Sequence, residues 1–151
     1  MILYLDSSAI VKLYIEEAGS PLVHELVNDA EVIATSIIAF AELRSIFSRI
    51  LRENVLADRD YRQLTNDFNV DWESYLKLET TEPLIKLAGD LTEIHPLRGF
   101  DAIHLASCIT LSRRVSNTVT FACWDHTLWN AAKNEKFNIV PEKISNIVEG
   151  K

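Results

Sequence analysis

Short apolar runs with strand character alternate with stretches of helical spacing along the whole chain, and this alternation limits the fold more than any other feature. Residues 2–5 (ILYL) are apolar at every position, as in a strand covered on both faces. Glu31 to Thr35 (EVIAT), Thr118 to Cys123 (TVTFAC) and Phe137 to Val140 read as further strands, and Tyr75 to Thr80 as a short edge strand. Helices are expected between them. The first runs from Ser7 to Glu17 and is ended by Gly19. Ser20 then acts as N-cap of a second, with Pro21 at its first helical position. Ser36 caps a third through about Arg52, with Leu43, Ile46, Phe47 and Ile50 facing inward, and Asp58 caps a fourth that carries Tyr61, Leu64, Phe68 and Trp72. Glu82-Pro83 starts a fifth through about Ile94, before Pro96 and Gly99 break the chain. Phe100 to Arg113 is apolar nearly all round, the pattern of a buried helix, and Asp125 to Glu135 is the last. Strands that alternate with helices form a parallel sheet with helices on both faces. The expectation is an α/β fold, with a small parallel sheet of four to five strands and about seven helices, in one domain over residues 1–151.

Composition matters here through charge and cysteine. A formal net charge of -7 argues against a chain that coats nucleic acid through its overall field. It is compatible with an acidic pocket that holds divalent cations. Locally basic surface remains, with Arg44, Arg49, Arg52, Arg59 and Arg62 in one third of the chain and Arg113-Arg114 in another spot. Cys108 and Cys123 form neither a CxxC pair nor a zinc pattern and read as buried free thiols. The start shows no signal-peptide pattern and no stretch has the length of a membrane span, so a cytoplasmic location is expected.

In parallel α/β sheets, sites form beyond the carboxyl ends of the strands. Asp6 follows the first strand directly, and Asp125 stands two residues after the TVTFAC run. Each also reads as a plain helix cap. Asp101 enters a helix that should be buried, which is costly for a carboxylate unless it is paired or metal-bound; compensation by the helix N-terminus is the simpler account. Glu42 interrupts an apolar stretch, Ile37 to Leu43, or else lies on an exposed face. Several carboxylates in one pocket repel one another unless a cation joins them, and hydrolysis of a phosphodiester by an activated water is chemistry that needs such a cluster. His104 lies one turn after Asp101 and reads mainly as a hydrogen-bonded structural histidine, with general base or metal ligand as the sharper alternative. Trp72, Trp124 and Trp129 read as core or interface residues, or as platforms for bases.

With these residues identified, the whole chain resembles the PIN-domain ribonucleases, and within them the VapC-type toxins of toxin–antitoxin pairs. Ile2 to Tyr14 (ILYLDSSAIVKLY), Thr35 to Leu43 (TSIIAFAEL), Arg98 to Ala106 (RGFDAIHLA) and Phe121 to Leu128 (FACWDHTL) carry the likeness. The last departs from the family pattern, with Cys123 where Thr or Ser is common and Trp124 where Phe is usual. The resemblance implies a PIN-like α/β/α sandwich and an endoribonuclease dependent on Mg2+ or Mn2+. It implies Asp6 and Asp101 as main metal ligands, with Glu42 and Asp125 binding metal directly or through water. Ser7 would support a carboxylate or a metal-bound water. A homodimer silenced by a small antitoxin is also implied. Apart from the resemblance, Arg98, three residues before Asp101, reads as a phosphate contact, a tether for a pocket acid, or a simply exposed side chain. A non-catalytic PIN scaffold and a housekeeping RNA-processing nuclease are the alternatives. A receiver domain or a DxD phosphatase fits poorly, because Ser7 and Ser8 follow Asp6.

Overall fold

The structure, a computed structural model, describes residues 1–144; the end of the expected 1–151 unit, residues 145–151, lies outside the described residues. Five parallel strands form one sheet: β1 (Ile2–Leu5), β2 (Val32–Ser36), β3 (Leu76–Leu78), β4 (Val119–Ala122) and β5 (Asn138–Val140), in the order β3-β2-β1-β4-β5. Among the described residues, seven α-helices surround them: α1 (Ser7–Ile10), α2 (Ser20–Asp29), α3 (Ala39–Arg52), α4 (Asp58–Trp72), α5 (Glu82–Ile94), α6 (Gly99–Arg114) and α7 (His126–Asn134). The α/β expectation holds in class, strand number and helix number.

The period-two alternation of a strand sends successive side chains to opposite faces, and β1 shows why every residue in it is apolar. Ile2 and Tyr4 join one core with Leu84, Leu91, Leu105 and Phe121; Leu3 and Leu5 join the other with Ile10, Leu43, Phe47 and Phe68. The first core is closed by α5, α6 and α7, and the second by α1, α3 and α4. Each fully buried large side chain in these layers contributes about 1.5–3 kcal/mol. On the second side the rings of Tyr14, Phe40, Phe47, Phe68, Trp72 and Tyr75 meet edge-on or stacked, which fixes α3 against α4.

Several helix starts differ from the sequence reading, for local reasons. The first helix stops at Ile10 and tightens into a 3-10 turn over Val11–Leu13 instead of continuing to Glu17. Lys12 is buried there and pairs with Glu17 at 2.8 Å, which folds the chain back. Gly19, not Ser20, caps α2, because the Ser20 hydroxyl is taken by the preceding turn, accepting from the Glu17 N–H and donating to the Ile15 carbonyl. Gly19 has φ +95, and a Cβ there would lie 2.9 Å from the Trp124 ring, so only glycine fits. Ser36 ends β2 and its hydroxyl accepts from the Ile38 N–H, while α3 begins at Ala39. Ala57 caps α4, which leaves Asp58 inside the first turn beside Asp60, where both favour the helix dipole.

Candidate functional site

The strand order reverses around β1. The chain moves outward through β2 and β3, then returns to place β4 on the other side of β1. Such a reversal opens a crevice beyond the carboxyl ends of the two central strands. Leu5 and Ala122 are register partners there, and the Asp6 N–H donates to the Ala122 carbonyl at 3.3 Å. The backbone therefore delivers the loops that carry Asp6 and Asp125 to the same rim.

Asp6 is only 3% exposed. Its Oδ1 accepts from the Ser8 hydroxyl at 2.7 Å and from the Ala9 N–H at 3.0 Å. The capping role that the sequence allowed is thus real and coexists with a place at the crevice. Burial raises its pKa, against the opposing pull of His104 and of its hydrogen bonds to Ser8 and Ala9. Ser8 also accepts from the Trp124 N–H at 2.8 Å, so one hydroxyl ties Asp6 to the loop that leads into Asp125. Asp125 is exposed and caps α7 by accepting from the Leu128 N–H at 2.9 Å.

Glu42 reaches the crevice because α3 is anchored by the fully buried Ala39 and Leu43 and by Phe47, which leaves Glu42 at the edge of the buried face. Its side chain is 21% exposed. Ser7 donates to its Oε1, and His104 Nε2 lies 2.8 Å from the same oxygen. Burial pushes the Glu42 carboxyl up, but its bonds to His104 and Ser7 more than offset this and hold it below the usual range. Asp101 lies in the first turn of α6, half-buried. Burial first, then the negative charges of Asp125 and Asp6, raise its pKa to about 6, with Glu42 adding to this and His104 opposing it. That mutual effect places the four acids within electrostatic reach of one another.

An open pocket of about 460 Å³ is lined by Glu42, Arg98, Gly99, Phe100, Asp101 and Asp125. Among the described residues, no three potential ligand side chains already stand at metal-binding spacing. Magnesium needs no preformed cage, since it keeps several waters and takes one or two carboxylates directly. The donors present are all hard carboxylate oxygens, and the crowding of negative charge around Asp101 is what a cation relieves, so the residues fit such an ion.

Beside the acids stand one residue that the sequence reading weighed, His104, and one that it did not, Phe100. His104 is indeed buried and hydrogen-bonded, but its partner is a site acid, which its spacing from Asp101 only hinted at. Phe100 is 61% exposed on the pocket wall. Of the tryptophans weighed as base platforms, Trp72 and Trp129 are buried, and Trp124 lies under the Lys12 ammonium at 5.0 Å. Cys108 and Cys123 are free and buried. No helix among the described residues is long and apolar enough to cross a membrane.

Comparison with known proteins places these features in context. A sequence model of the family described as PIN domain matches residues 3–117. Ribonuclease VapC45 of Mycobacterium tuberculosis is 29% identical over 143 residues, covering 95% of this chain and 97% of that protein. A toxin–antitoxin complex from Klebsiella pneumoniae contains a chain that superposes with a TM-score of 0.61 at 11% identity, covering 91% of this chain and 95% of that one. VapBC2 from Rickettsia felis, solved on a DNA fragment from its promoter, gives a TM-score of 0.59 at 16% identity, covering 92% and 97%.

Proposed function

Because this chain belongs to the PIN domain family, we propose that it is a divalent-metal-dependent endoribonuclease and the toxin of a toxin–antitoxin pair. The observation that carries the reading is the convergence of Asp6, Glu42, Asp101 and Asp125 on one crevice at the point where the strand order reverses. The relative named a ribonuclease supports RNA as substrate, and the solved toxin–antitoxin complex supports a small protein partner. A homodimer in the cytoplasm completes the reading.

Mg2+ or Mn2+ would be held by these four acids, and when bound it supplies positive charge at the scissile phosphate and a more acidic attacking water. The chain's own contribution is placement. Ser8 and the Ala9 N–H fix Asp6, and Ser7 and His104 fix Glu42. Arg98, exposed on the rim, is placed to contact the phosphate backbone, and Phe100 to stack on a neighbouring base.

The deciding experiment is cleavage of labelled RNA by the purified protein with Mg2+, with Mn2+ and with a chelator. Cleavage that needs the ion supports the reading, and RNA left intact under all three conditions overturns it. Growth arrest on expression, relieved by co-expression of the antitoxin, is the expected mark of a toxin; catalysis without arrest would assign the protein to RNA processing.

Two smaller effects follow at the rim. Asp125→Asn is expected to slow cleavage by about tenfold without abolishing it, because asparagine still caps α7 and the exposed carboxylate is the least enclosed of the four. A complete loss, measured with unchanged melting temperature, would promote Asp125 to an essential ligand. Phe100→Ala is expected to raise KM by about tenfold with kcat nearly unchanged, since stacking on one base contributes about 1–3 kcal/mol. An unchanged KM would remove Phe100 from the RNA path.

A further inference from the structure

Behind the crevice, a buried chain of hydrogen bonds runs from β1 through α6 to α3. The Tyr4 hydroxyl lies 2.8 Å from His104 Nδ1, and His104 Nε2 lies 2.8 Å from Glu42 Oε1. Tyr4 is 0% exposed and His104 is 1% exposed. The ring is also held edge-on to Tyr4, with centroids 6.0 Å apart. Neither Tyr4 nor His104 lines the pocket.

The chemistry of the groups gives this chain a direction. Glu42 Oε1 already accepts from the Ser7 hydroxyl, and His104 Nε2 stands 2.8 Å from that same oxygen. The nitrogen facing it, Nε2, must therefore carry a hydrogen. The Tyr4 hydroxyl is fully buried 2.8 Å from Nδ1, and its hydrogen is available to that nitrogen. A buried imidazole has two inequivalent nitrogens, and the bond made by one decides what the other can do. Both bonds to Glu42, from Ser7 and from His104, fall on Oε1, which leaves Oε2 free of them.

We propose that Tyr4 and His104 are positioning residues that act through Glu42: Tyr4 donates to Nδ1, which keeps the hydrogen of His104 on Nε2, and that hydrogen pins Glu42 Oε1 so that Oε2 is presented to the crevice. This assignment rests on the proposed metal-dependent reading for its purpose, but its geometry stands without it. Tyr4 thereby influences the site from β1 without touching substrate or ion.

The test uses the intact protein and three variants. Imidazole nitrogen NMR on the metal-free wild type is expected to show His104 with its hydrogen on Nε2 and Nδ1 as acceptor. Tyr4→Phe keeps the ring that stacks on Phe121 at 5.2 Å and deletes only the hydroxyl, so Nδ1 loses its donor, seen as a shift of the Nδ1 resonance, and the ring loses the bond that orients it. Mn2+ affinity and kcat are then expected to fall about ten- to hundredfold in Tyr4→Phe and His104→Ala, as for other groups that orient a metal-binding side chain. KM for RNA should stay near the wild-type value. His104→Gln, whose side-chain amide can replace the Nε2 donor, is expected to recover most of the Mn2+ affinity. A wild-type ring with hydrogen on Nδ1 only, Tyr4→Phe within twofold of wild type in Mn2+ affinity, or His104→Gln as weak as His104→Ala would each overturn the assignment. Should His104→Ala fail to fold, the wild-type spectrum and Tyr4→Phe still decide it. A wild type that binds Mn2+ but leaves RNA intact would overturn the nuclease reading alone, because spectrum and affinity do not depend on RNA.

Discussion

Asp6→Asn and Asp101→Asn are each expected to lower RNA cleavage by about a thousandfold or more while leaving the fold intact. The size follows from what is removed. A bound cation stabilises transition-state charge by several kcal/mol, and each ~1.4 kcal/mol is a factor of ten in rate. Both substitutions keep the side-chain shape and exchange a charged oxygen for an amide, so the ion loses a ligand and half of a local charge balance. Asn at position 6 can still accept from Ser8 and from the Ala9 N–H, which preserves the start of α1. The measurement is single-turnover cleavage of labelled RNA in Mg2+ and in Mn2+, beside circular dichroism of each variant. Wild-type rates in both variants would sink the four-acid mechanism.

The second large effect concerns stability, and its sign is opposite. In the metal-free protein, Asp101→Asn is expected to be more stable than the wild type at pH 7.5 and to lose that advantage near pH 4. Its folded pKa of about 6 lies above the ordinary value of 3.8. The folded state therefore holds this proton more tightly than the unfolded chain, and stability falls as the pH rises through the interval between the two values. Above pH 6 the ionised group costs about 1–2 kcal/mol, after allowance for its partial exposure to water. Asp6, also raised by burial, acts in the same direction. A cation should reverse the order. At a hundred times its dissociation constant it stabilises the wild type by about 2.7 kcal/mol, or roughly 5–10 °C in melting temperature. The variant should gain far less. Thermal melts at pH 4 and pH 7.5, with and without Mn2+, read all of this. A metal-free variant less stable than the wild type at pH 7.5 would show that Asp101 serves the fold and not the ion.

These two expectations share one physical cause. Burial raises Asp6, and burial with the neighbouring negative charges raises Asp101, so the ionised crevice is costly until something positive occupies it, and the same cost would give a cation its affinity. The surrounding layers supply the stability that this arrangement consumes: β1 is apolar on both faces, and the aromatic cluster around Phe68 locks α3 and α4 together.

Much of this could be read from the residues alone, because the relevant signals are local. An uninterrupted apolar run marks β1 as a strand covered on both faces, and alternation of strands with helices sets the class. The placement of Asp6 after β1 and of Asp125 after β4 requires only that the sheet be parallel. The unusual company of Glu42 and Asp101, polar residues in apolar helices, is visible as a break in pattern. What failed locally were helix starts, where Ser20 and Ser36 have the right chemistry for caps but spend their hydroxyls on neighbouring turns.

Only the tertiary structure decided which partners each group meets. Nothing in the spacing of Tyr4, Glu42 and His104 says that two of them flank the third, since those contacts span 62 and 100 residues and depend on how α3 and α6 pack against β1. Likewise, the sequence could not tell that Phe100 is left in the open beside the acids while Trp72 and Trp129 are buried. Local pattern fixes which residues are strand, helix or out of place; long-range packing fixes which hydrogen bonds an imidazole makes, and with them the side of Glu42 that faces the crevice.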